Sequence, residues 1–295
     1  MSTTEEAARA LKSLKDEEWR TLAGLERVSF SYGTGDIGRL SRVSRLPIER
    51  VKFSLDSLTR KELASRRGGG FSLTKRGVEA MALKDYVRKD LIFALGPIIA
   101  KGKESDVYEA VTEEGTQYAL KFYKIGRTSF TSVKKKRASE GTGIRSWMAA
   151  NYEAAKREYH ALRKLAGLSR VFPAVVGYSR STVLLQQISG VRLSQRPYLE
   201  DPASAERTIF ESMRLAYVKA KLVNADLSEY NVLTNGSSVW LIDWPQAVDA
   251  SHPNSAELLM HDVVAISRFF KRAYGVEAAE ERVHSFVIGK KSSLD

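Results

Sequence analysis

The chain contains no cysteine, so it can form no disulfide bond and no thiolate-ligated metal site. A cysteine-free composition fits a reducing compartment, and we therefore expect a cytoplasmic location. The sequence also lacks an uninterrupted apolar run of the length that a membrane-spanning helix needs, so we expect no membrane partner. Its N-terminal stretch, MSTTEEAARALKSLKDEEW, is acidic and amphipathic, unlike a signal peptide.

Histidine is scarce as well, with four residues in a chain of 295. His252 and His261 stand apart from cysteine and from other histidines, and we assign neither a metal-binding role. The hydrophobic fraction of 43% and the charged fraction of 28% are ordinary for a globular protein. The length is sufficient for two domains with a sizeable core.

Positive charge, in contrast, is in excess. The 47 lysines and arginines outnumber the 35 acidic residues, which gives a net charge of +12 and an isoelectric point near 9.7. Such an excess predicts a polyanionic partner, and nucleic acid is the commonest one. General solubility is the alternative explanation.

Residues 1–90 have the pattern of a small helical domain followed by a glycine-tipped hairpin. Apolar residues recur at helical spacing, and Pro47 opens a longer helix that we place at residues 48–64. The segment RRGGGFSLTKRG then predicts a glycine turn between short extended pieces, and a last helix follows from about residue 77. This order is typical of a winged helix-turn-helix, in which residues 48–64 would be the recognition helix.

The wing of this domain is rich in cations that can neutralise phosphates, and we predict nucleic-acid contact through four of them: Arg66, Arg67, Lys75 and Arg76. The alternative is that the winged helix serves only as a docking module.

The next segment, LIFALGPIIAKGKESDVYEAVT, predicts two strands around a loop. Lys103 and the hydroxyl of Ser105 in that loop are placed to contact phosphate groups. The strand QYALKFYK carries Lys121 between apolar neighbours, where a lysine can contact nucleotide phosphates. Glu158 in the following helix, which we begin near residue 151, is the preferred partner of Lys121, and Glu153 is the alternative. Lys121 could otherwise be an edge-strand lysine that reaches solvent.

Residues 126–150, rich in Ser, Thr and cations, predict a mobile insertion. Its charge run suits contact with RNA, and its hydroxyl groups, among them Ser129, could accept phosphate. The charge run comprises Lys134, Lys135, Lys136 and Arg137. Further on, the strand in TVLLQQISG would pass behind an adenine, with the backbone of Gln186 and Ile188 offering hydrogen bonds.

The stretch LVNADLSEYNVLTNGSSVWLIDW predicts a hairpin whose turn is Asn235-Gly236. Three polar residues flank its strands: Asp226, Asn231 and Asp243. A D-x-x-x-x-N run followed by an aspartate after an apolar strand is typical of kinases. One carboxylate orients the attacking group, while the amide and the second carboxylate hold Mg²⁺. The alternative is a hairpin with capping acids.

The order of these motifs resembles that of the RIO atypical serine/threonine protein kinases, and specifically their second, winged-helix-bearing subfamily. The matching segments span the whole second domain: GKESDVY, EEGTQYALKF, GRTSF with KKKR, SW with REY, DLSEYN, IDWPQ and SHPN. The resemblance implies an α+β chain with a winged helix domain at residues 1–90 and a bilobal RIO kinase domain at 91–295. The N-lobe would span about 91–188 and the C-lobe about 189–295.

The resemblance also implies roles for single residues. Asp226 resembles the catalytic aspartate, Lys121 the lysine that anchors ATP, and Asn231 and Asp243 the ligands of Mg²⁺, or of Mn²⁺ in its place. Asp243 also corresponds to an aspartate that can become phosphorylated. Lys103, Ser105, Glu158, Gln186 and Ile188 would complete the ATP site. The implied setting is maturation of the small ribosomal subunit, bound to its rRNA or to a pre-ribosomal particle.

Two positions depart from the family pattern. Asn224 stands where a histidine usually precedes the catalytic aspartate, and Ala100 stands where a glycine is common. Two other functions remain open: a non-catalytic, RNA-binding ribosome assembly factor, and a small-molecule phosphotransferase of the aminoglycoside type.

We further expect poor activity on general peptide substrates. Residues 244–295 predict one loop and one helix of about twenty residues, with no A-P-E segment. Ser228 also stands where peptide kinases usually carry a lysine or arginine after D-L.

Overall fold

The computed structural model describes residues 3–126 and 142–294. The chain divides into two compact units. The first combines Met1–Ala155 with Tyr178–Leu184, and the second combines Lys156–Gly177 with Leu185–Asp295. The domain bounds of 1–90 and 91–295 stay a prediction, and residue 90 lies inside the first unit.

The described helices are, in chain order, α1 (Thr3–Leu11), α2 (Asp16–Tyr32), α3 (Ile37–Ser44), α4 (Ile48–Arg60), α5 (Lys75–Arg88), α6 (Thr142–Leu165), α7 (Pro202–Val218), α8 (Ser255–Tyr274) and α9 (Glu280–Val287). The strands are β1 (Ala64–Arg67), β2 (Gly70–Leu73), β3 (Ala94–Lys101), β4 (Ser105–Val111), β5 (Gln117–Tyr123), β6 (Val175–Ser179), β7 (Thr182–Gln186), β8 (Val191–Arg192), β9 (Leu222–Val223), β10 (Val232–Thr234), β11 (Val239–Leu241) and β12 (Val248–Asp249). This mixture of helices and separate sheets confirms the predicted α+β class.

Helices α1–α5 and the β1–β2 hairpin form the predicted winged helix. Leu22, Leu40 and Leu58, from three of the helices, are fully buried in its core. The wing pairs Ala64 to Arg67 antiparallel with Leu73 to Gly70. Gly68 and Gly69 at its tip have φ values of 52° and 79°, a backbone conformation that residues with a side chain rarely adopt. The glycine run therefore specifies the tight turn.

Two predicted boundaries in this domain were wrong. The recognition helix ends at Arg60 and not at residue 64, because Glu62 adopts a φ of 56° and the Leu63 N–H donates back to Leu58 O at 2.9 Å. Helix α5 begins at Lys75, since the Thr74 hydroxyl caps it by accepting the Gly77 N–H at 3.0 Å. Lys75 and Arg76 thus belong to a helix and not to the wing.

Arg180, just after β6, is the centre of a largely buried ion-pair network within the first unit. Its guanidinium lies 2.7 Å from Glu26 Oε1 on α2 and 2.6 Å from Asp85 Oδ2 on α5. The Tyr152 hydroxyl on α6 donates to the same Glu26 oxygen at 2.6 Å, and burial raises the Tyr152 pKa. The network therefore joins four chain segments that are distant in sequence.

The main sheet has the strand order β3-β4-β5-β7-β6. Strands β3, β4 and β5 pair antiparallel, as the sequence predicts for the loop at residues 102–104 and its flanking strands. Ala100, which stands where the resemblance leads us to expect glycine, is paired with Val107. The register of β3 shifts between Leu95 and Ile98 and again between Ile98 and Ala100, as at a β-bulge.

Helix α6 begins at Thr142, nine residues earlier than the predicted start near residue 151. Met148 is fully buried, and the Arg145 Nε donates to Phe30 O at 3.1 Å, so the first turns of α6 pack within the first unit. The prediction of an insertion across 126–150 was therefore wrong for its last part. Residues 127–141 lie outside the described residues.

The second unit is built around one apolar core formed by α7, α8, α9 and the short strands of this part of the chain. The predicted hairpin is confirmed as β10 and β11, and β8 pairs with β10 on its other side. Trp244 is 1% exposed and packs edge-to-face with Phe172 at 5.7 Å between ring centroids. The prediction of a single closing helix was wrong: Gly275 ends α8, and α9 follows.

Candidate active site

Asn231 joins the loop that carries Asp226 to the strand that leads to Asp243. Its N–H donates to Ser228 O, and its carbonyl accepts the Ile242 N–H, both at 2.9 Å. Its side-chain Nδ2 donates to Asp226 O at 2.8 Å. The three predicted polar residues are therefore brought together within the second unit by hydrogen bonds of the loop itself.

Asn224 makes a second link between the same two aspartates. Its Nδ2 donates to Asp243 O at 3.1 Å, and its Oδ1 accepts the Asp226 N–H at 3.2 Å. The side chain is 5% exposed, so both bonds are shielded from water. An amide can donate at its nitrogen and accept at its oxygen, and a neutral imidazole likewise donates at one atom and accepts at another. Asn224 can therefore make the two bonds of the histidine that the resemblance leads us to expect at this position.

Asp262 on α8 is a site residue that the sequence analysis missed. Its two carboxyl oxygens accept the backbone N–H groups of Ala225 at 2.8 Å and Leu227 at 2.9 Å, on either side of Asp226. Ala225 has a φ of 68°, an unusual conformation for alanine that these bonds help to hold. The one signal in the sequence was an acidic residue in the apolar pattern of α8.

The two carboxyl groups near this loop have raised pKa values. Burial raises the pKa of Asp262 to about 7, although the N–H groups of Ala225 and Leu227 oppose this shift. Partial burial and then the negative charge of Asp243 raise the pKa of Asp226. A raised pKa makes Asp226 a stronger base than an ordinary aspartate. The loop can therefore accept a proton from a bound hydroxyl or water.

Glu158 on α6 is tied to the residue that follows Asp243. Its Oε1 accepts the Trp244 N–H at 3.2 Å, and its side chain is 1% exposed. Glu153, the alternative partner for Lys121, is exposed. The burial of Glu158 favours it as the carboxylate of the site, and its pairing with Lys121 stays a prediction.

The residues predicted to contact phosphates lie in the first unit. Lys121 on β5 is 6% exposed, and its Nζ lies 4.9 Å from the Tyr123 ring centroid, so it does not reach solvent as an edge-strand lysine would. Ser105 begins β4, and its carbonyl accepts the Gly102 N–H at 2.8 Å. Lys103 is exposed in the loop between them.

Gln186 ends β7 in the second unit. Its N–H donates to Ala174 O at 2.8 Å, and its side-chain Oε1 accepts the Ala174 N–H at 3.2 Å. The Gln186 N–H is therefore already bonded. Contact of an adenine with the Gln186 carbonyl or with the backbone of Ile188 stays a prediction.

The structure separates the predicted nucleic-acid contacts into three groups. Arg66 and Arg67 are exposed on β1 of the wing. Lys75 lies 3.3 Å from Glu79, and Arg76 pairs with Glu6 and Glu62, so both are engaged by carboxylates. The third group lies outside the described residues: Lys134, Lys135, Lys136 and Arg137. Ser129, predicted as a phosphoacceptor, lies outside them as well.

A cavity of about 1040 Å³ in the second unit lies away from the three polar residues. It is lined by Arg170, Glu200, Trp240 and the hairpin tip at Gly236, while Asn231 and Ile242 lie at the other end of that hairpin. Residues 3–126 and 142–294 contain no cluster of three or more His, Asp or Glu arranged to hold a metal. No helix in these ranges is long and apolar enough to cross a membrane.

Replacing Asp262 with Asn should destabilise the protein by about 1–3 kcal/mol, because one backbone N–H would face an amide N–H₂ in place of a carboxyl oxygen. Folding raises the Asp262 pKa from its usual 3.8 to about 7, so the native state keeps a proton that the unfolded chain loses. Wild-type stability should therefore fall as pH rises from about 4 to about 7, and Asp262→Asn should lack that contribution.

Urea unfolding of both proteins between pH 4.5 and 8 measures this difference. The cost of Asp262→Asn should be largest at the acidic end and shrink toward pH 8. Asp56→Asn, at an exposed position of α4, is the control and should change little at any pH. A pH-independent difference between wild type and Asp262→Asn would contradict the raised pKa.

Comparison with known proteins gives matches to the RIO family. The RIO domain model matches residues 106–283, more than half of the chain. The RIO-type serine/threonine-protein kinase Rio2 of Methanocaldococcus jannaschii is 30% identical over 256 residues, which cover 84% of this chain and 93% of that protein. The serine/threonine-protein kinase rio2 of Schizosaccharomyces pombe is 28% identical over 275 residues, which cover 90% and 79% respectively.

A solved structure agrees with these relatives. The crystal structure of the Rio2 kinase–ADP/Mg²⁺–phosphoaspartate complex from Chaetomium thermophilum aligns with a TM-score of 0.81 and 26% identity. The alignment covers 95% of this chain and 89% of that chain, so it includes the winged helix. The chain therefore belongs to the RIO family of atypical serine/threonine protein kinases, and the similar proteins named above are Rio2 kinases.

Proposed function

We propose that this kinase uses ATP to phosphorylate itself or to release phosphate to water, and that it acts as an ATP-dependent switch on a pre-ribosomal particle. The observation that carries the chemical part is the hydrogen-bonded frame of Asn224 and Asn231, which joins Asp226 to Asp243. Membership of the RIO family and the similarity to a kinase solved with ADP and Mg²⁺ support ATP as the substrate.

The donor atoms of the loop fit Mg²⁺, which takes oxygen ligands and neutralises charge on phosphate groups when bound. Asn231 donates through Nδ2 to Asp226 O, which leaves its amide oxygen for a cation. The Asp243 carboxylate supplies a second oxygen ligand. Mn²⁺ could replace Mg²⁺ at such a site, since it also takes oxygen ligands.

The other predicted site residues are assigned either to the phosphates of ATP or to its adenine. Lys121, Lys103 and the Ser105 hydroxyl are suited to the phosphates, because they provide cations and a donor. The Gln186 carbonyl and the Ile188 N–H are suited to the adenine edge. Buried Glu158 orients the segment after Asp243 through the Trp244 N–H, and would also hold Lys121.

Asp226 is assigned to orient the attacking group and, where that group is a hydroxyl or water, to take its proton, for which its raised pKa is suited. Two acceptors of the γ-phosphoryl group belong to the chain itself. Asp243 is one, and the phosphoaspartate in the similar Rio2 complex supports it. Ser129, in a segment rich in hydroxyl groups, is the other.

A pre-ribosomal setting is supported by charge. The chain carries a net charge of +12, and Arg66 and Arg67 are exposed on the wing. The basic run at residues 134–137 adds four cations in sequence. We propose small-subunit rRNA as the polyanionic partner. We also propose that the protein acts in the cytoplasm. Steep salt dependence of binding would follow, since each neutralised phosphate releases counterions.

The structure supports self-modification over peptide phosphorylation. Only residues 244–254 separate Asp243 from α8, so no long activation segment lies between them. Conventional protein kinases use that segment to position a peptide hydroxyl. Without it, most of the rate gain from holding a peptide in place is lost. Water and groups of the chain itself are then the favoured acceptors.

Incubation with labelled ATP and a broad peptide library tests this function. We expect label on the protein and free phosphate, with little label on peptides, because no segment positions them. Asp226→Ala, processed in parallel, should show neither product. Efficient multiple-turnover labelling of one peptide class would contradict the proposal and indicate an ordinary protein kinase.

Replacing Lys121 or Asp243 with Ala should weaken Mg²⁺-ATP binding by about tenfold or more, because each change removes a charged contact to the phosphates or their cation. Isothermal titration measures the affinity. Asp249→Ala is the control: this carboxylate is exposed and lies in the second unit, as Asp243 does, and the variant should bind Mg²⁺-ATP normally. Wild-type affinity in both Lys121→Ala and Asp243→Ala would show that the site is elsewhere.

Replacing Asn224 with Ala should lower kcat for ATP turnover by roughly 10- to 100-fold, because small displacements of reacting groups cost that much. KM for ATP should stay within about twofold, since Asn224 does not contact the nucleotide. Steady-state phosphate release gives both constants.

Two further variants make the Asn224 result specific. Asn224→His should recover much of the lost kcat, because imidazole also offers one donor and one acceptor. Asn254→Ala, at an asparagine whose side chain makes no capping bond to α8, should behave as wild type. Equal loss in Asn224→Ala and Asn224→His would argue that Asn224 serves packing alone.

A further inference from the structure

An exposed aromatic ring lies at the last residue of α2. Tyr32 is 60% exposed, although tyrosine usually buries most of its ring. The Arg39 guanidinium on α3 lies 4.0 Å from the centre of that ring. The pair presents a flat aromatic and guanidinium surface to solvent, which has the character of a stacking platform.

A second arginine–aromatic pair lies on the wing. Arg66 on β1 and Phe71 on β2 are directly opposite each other in the hairpin, with the guanidinium 5.9 Å from the ring centre. Phe71 is half-buried, and Arg66 is exposed. We call the four residues Tyr32, Arg39, Arg66 and Phe71 the arginine–aromatic surface.

The two pairs are held together by backbone hydrogen bonds. The Gly35 N–H donates to Phe71 O, and the Phe71 N–H donates to Gly35 O, both at 2.9 Å. Gly35 follows Tyr32 by three residues, so the loop after α2 is attached to the wing strand. A Cβ at Gly35 would lie 2.4 Å from a Val28 methyl, so glycine is required there. The attachment of the segment after Tyr32 to the wing strand is therefore specified by the sequence.

The charge of this surface is strongly positive. Within the described residues, Arg39, Arg42, Arg66 and Arg67 form no ion pair shorter than 4.0 Å. Asp36 is the one acidic residue in the segments 31–45 and 64–73, and it caps α3 by accepting the Arg39 N–H at 2.9 Å. A Cβ added at Gly68 or Gly69 would meet nothing within 4 Å, so a phosphate backbone can approach the tip closely.

The recognition helix α4 differs in charge. Arg50 lies 3.6 Å from Glu17, and Lys52 lies 2.9 Å from Glu49, so two of its three cations are partly neutralised, while Arg60 at its end is exposed. Glu49 and Asp56 are both exposed on this helix. Insertion of α4 into the groove of a duplex would bring these carboxylates toward phosphates, which is unfavourable.

We infer that the winged helix binds single-stranded RNA, with unpaired bases stacked on Tyr32 and Phe71 and phosphates neutralised by Arg39, Arg66 and Arg67. Every base has an aromatic face, so such a surface tolerates many sequences. The inference rests on the nucleic-acid partner of the proposed function and specifies its strandedness and its site. The arginine–aromatic surface, and not the recognition helix α4, is then the main contact with RNA.

Fluorescence anisotropy of the full chain with a labelled single-stranded 12-nucleotide RNA, and with the same sequence as a duplex, tests this inference. The single strand should bind more tightly. Tyr32→Ala should weaken its binding by about tenfold, which is the range for loss of one stacked base. Tyr32→Phe should bind as wild type, because the ring remains.

Charge variants locate the site. Arg66→Ala with Arg67→Ala should lower the slope of log affinity against log salt by about one for each phosphate that is no longer neutralised. Arg50→Ala with Lys52→Ala on α4 should leave affinity unchanged. Tyr198→Ala, at a tyrosine that is 81% exposed in the second unit, is the matched aromatic control and should bind normally. Thermal unfolding should show the same midpoint for Tyr32→Ala and wild type.

Three results would overturn the inference. Tighter binding of the duplex that depends on Arg50 and Lys52 would restore α4 as the contact. Wild-type RNA affinity in Tyr32→Ala and in the Arg66, Arg67 double variant would reject this surface while the proposed nucleic-acid partner stands. No binding of either RNA by the wild type would reject both.

Discussion

The candidate active site depends on one buried carboxyl group, that of Asp262. A helix in the core of the second unit would ordinarily carry an apolar residue at such a position, because burial of an acid is costly. Here the two oxygens accept the N–H groups on both sides of Asp226, so the burial is offset by hydrogen bonds that the loop needs. These N–H groups belong to no strand or helix, and Ala225, which supplies one of them, adopts a left-handed conformation. The position of Asp226 therefore follows from α8 and not from the loop alone.

Asn224 and Asn231 extend this frame to Asp243. Each side chain reaches across the loop to a backbone group, so Asp226 and Asp243 are linked at their main chains. Asp243 itself has a φ of 69°, a conformation that is uncommon for a residue with a side chain. Its carbonyl and the next N–H are bonded to Asn224 and Glu158, which is how the surrounding structure holds it. Preorganisation of this kind is what electrostatic catalysis requires.

The features that were predicted from the sequence are those determined by residues close together in the chain. The Asn235-Gly236 turn, the glycine tip of the wing and the alternating strand around Lys121 all follow from residues close in the chain. Asp226, Asn231 and Asp243 were singled out because a D-x-x-x-x-N run followed by an aspartate after an apolar strand is typical of kinases. Asp262 was missed because its partners are more than thirty residues away in sequence and are backbone groups, which leave no mark in the sequence. Lys75 and Arg76 were assigned to the wing because the Thr74 cap was not recognised. With that cap, Glu79 follows as the i,i+4 partner of Lys75, whereas the partners of Arg76 on other segments, Glu6 and Glu62, needed the structure.

The central claim is that Asp226 acts on the chemical step and is not needed to bind the nucleotide. Single-turnover release of labelled phosphate by Asp226→Asn, together with its Mg²⁺-ATP affinity by titration, tests this claim directly. The account predicts affinity within about twofold of wild type and turnover reduced by about 100-fold or more, as for loss of a general base. Loss of binding together with turnover would make Asp226 a metal ligand or a structural cap, and unchanged turnover would remove it from the reaction.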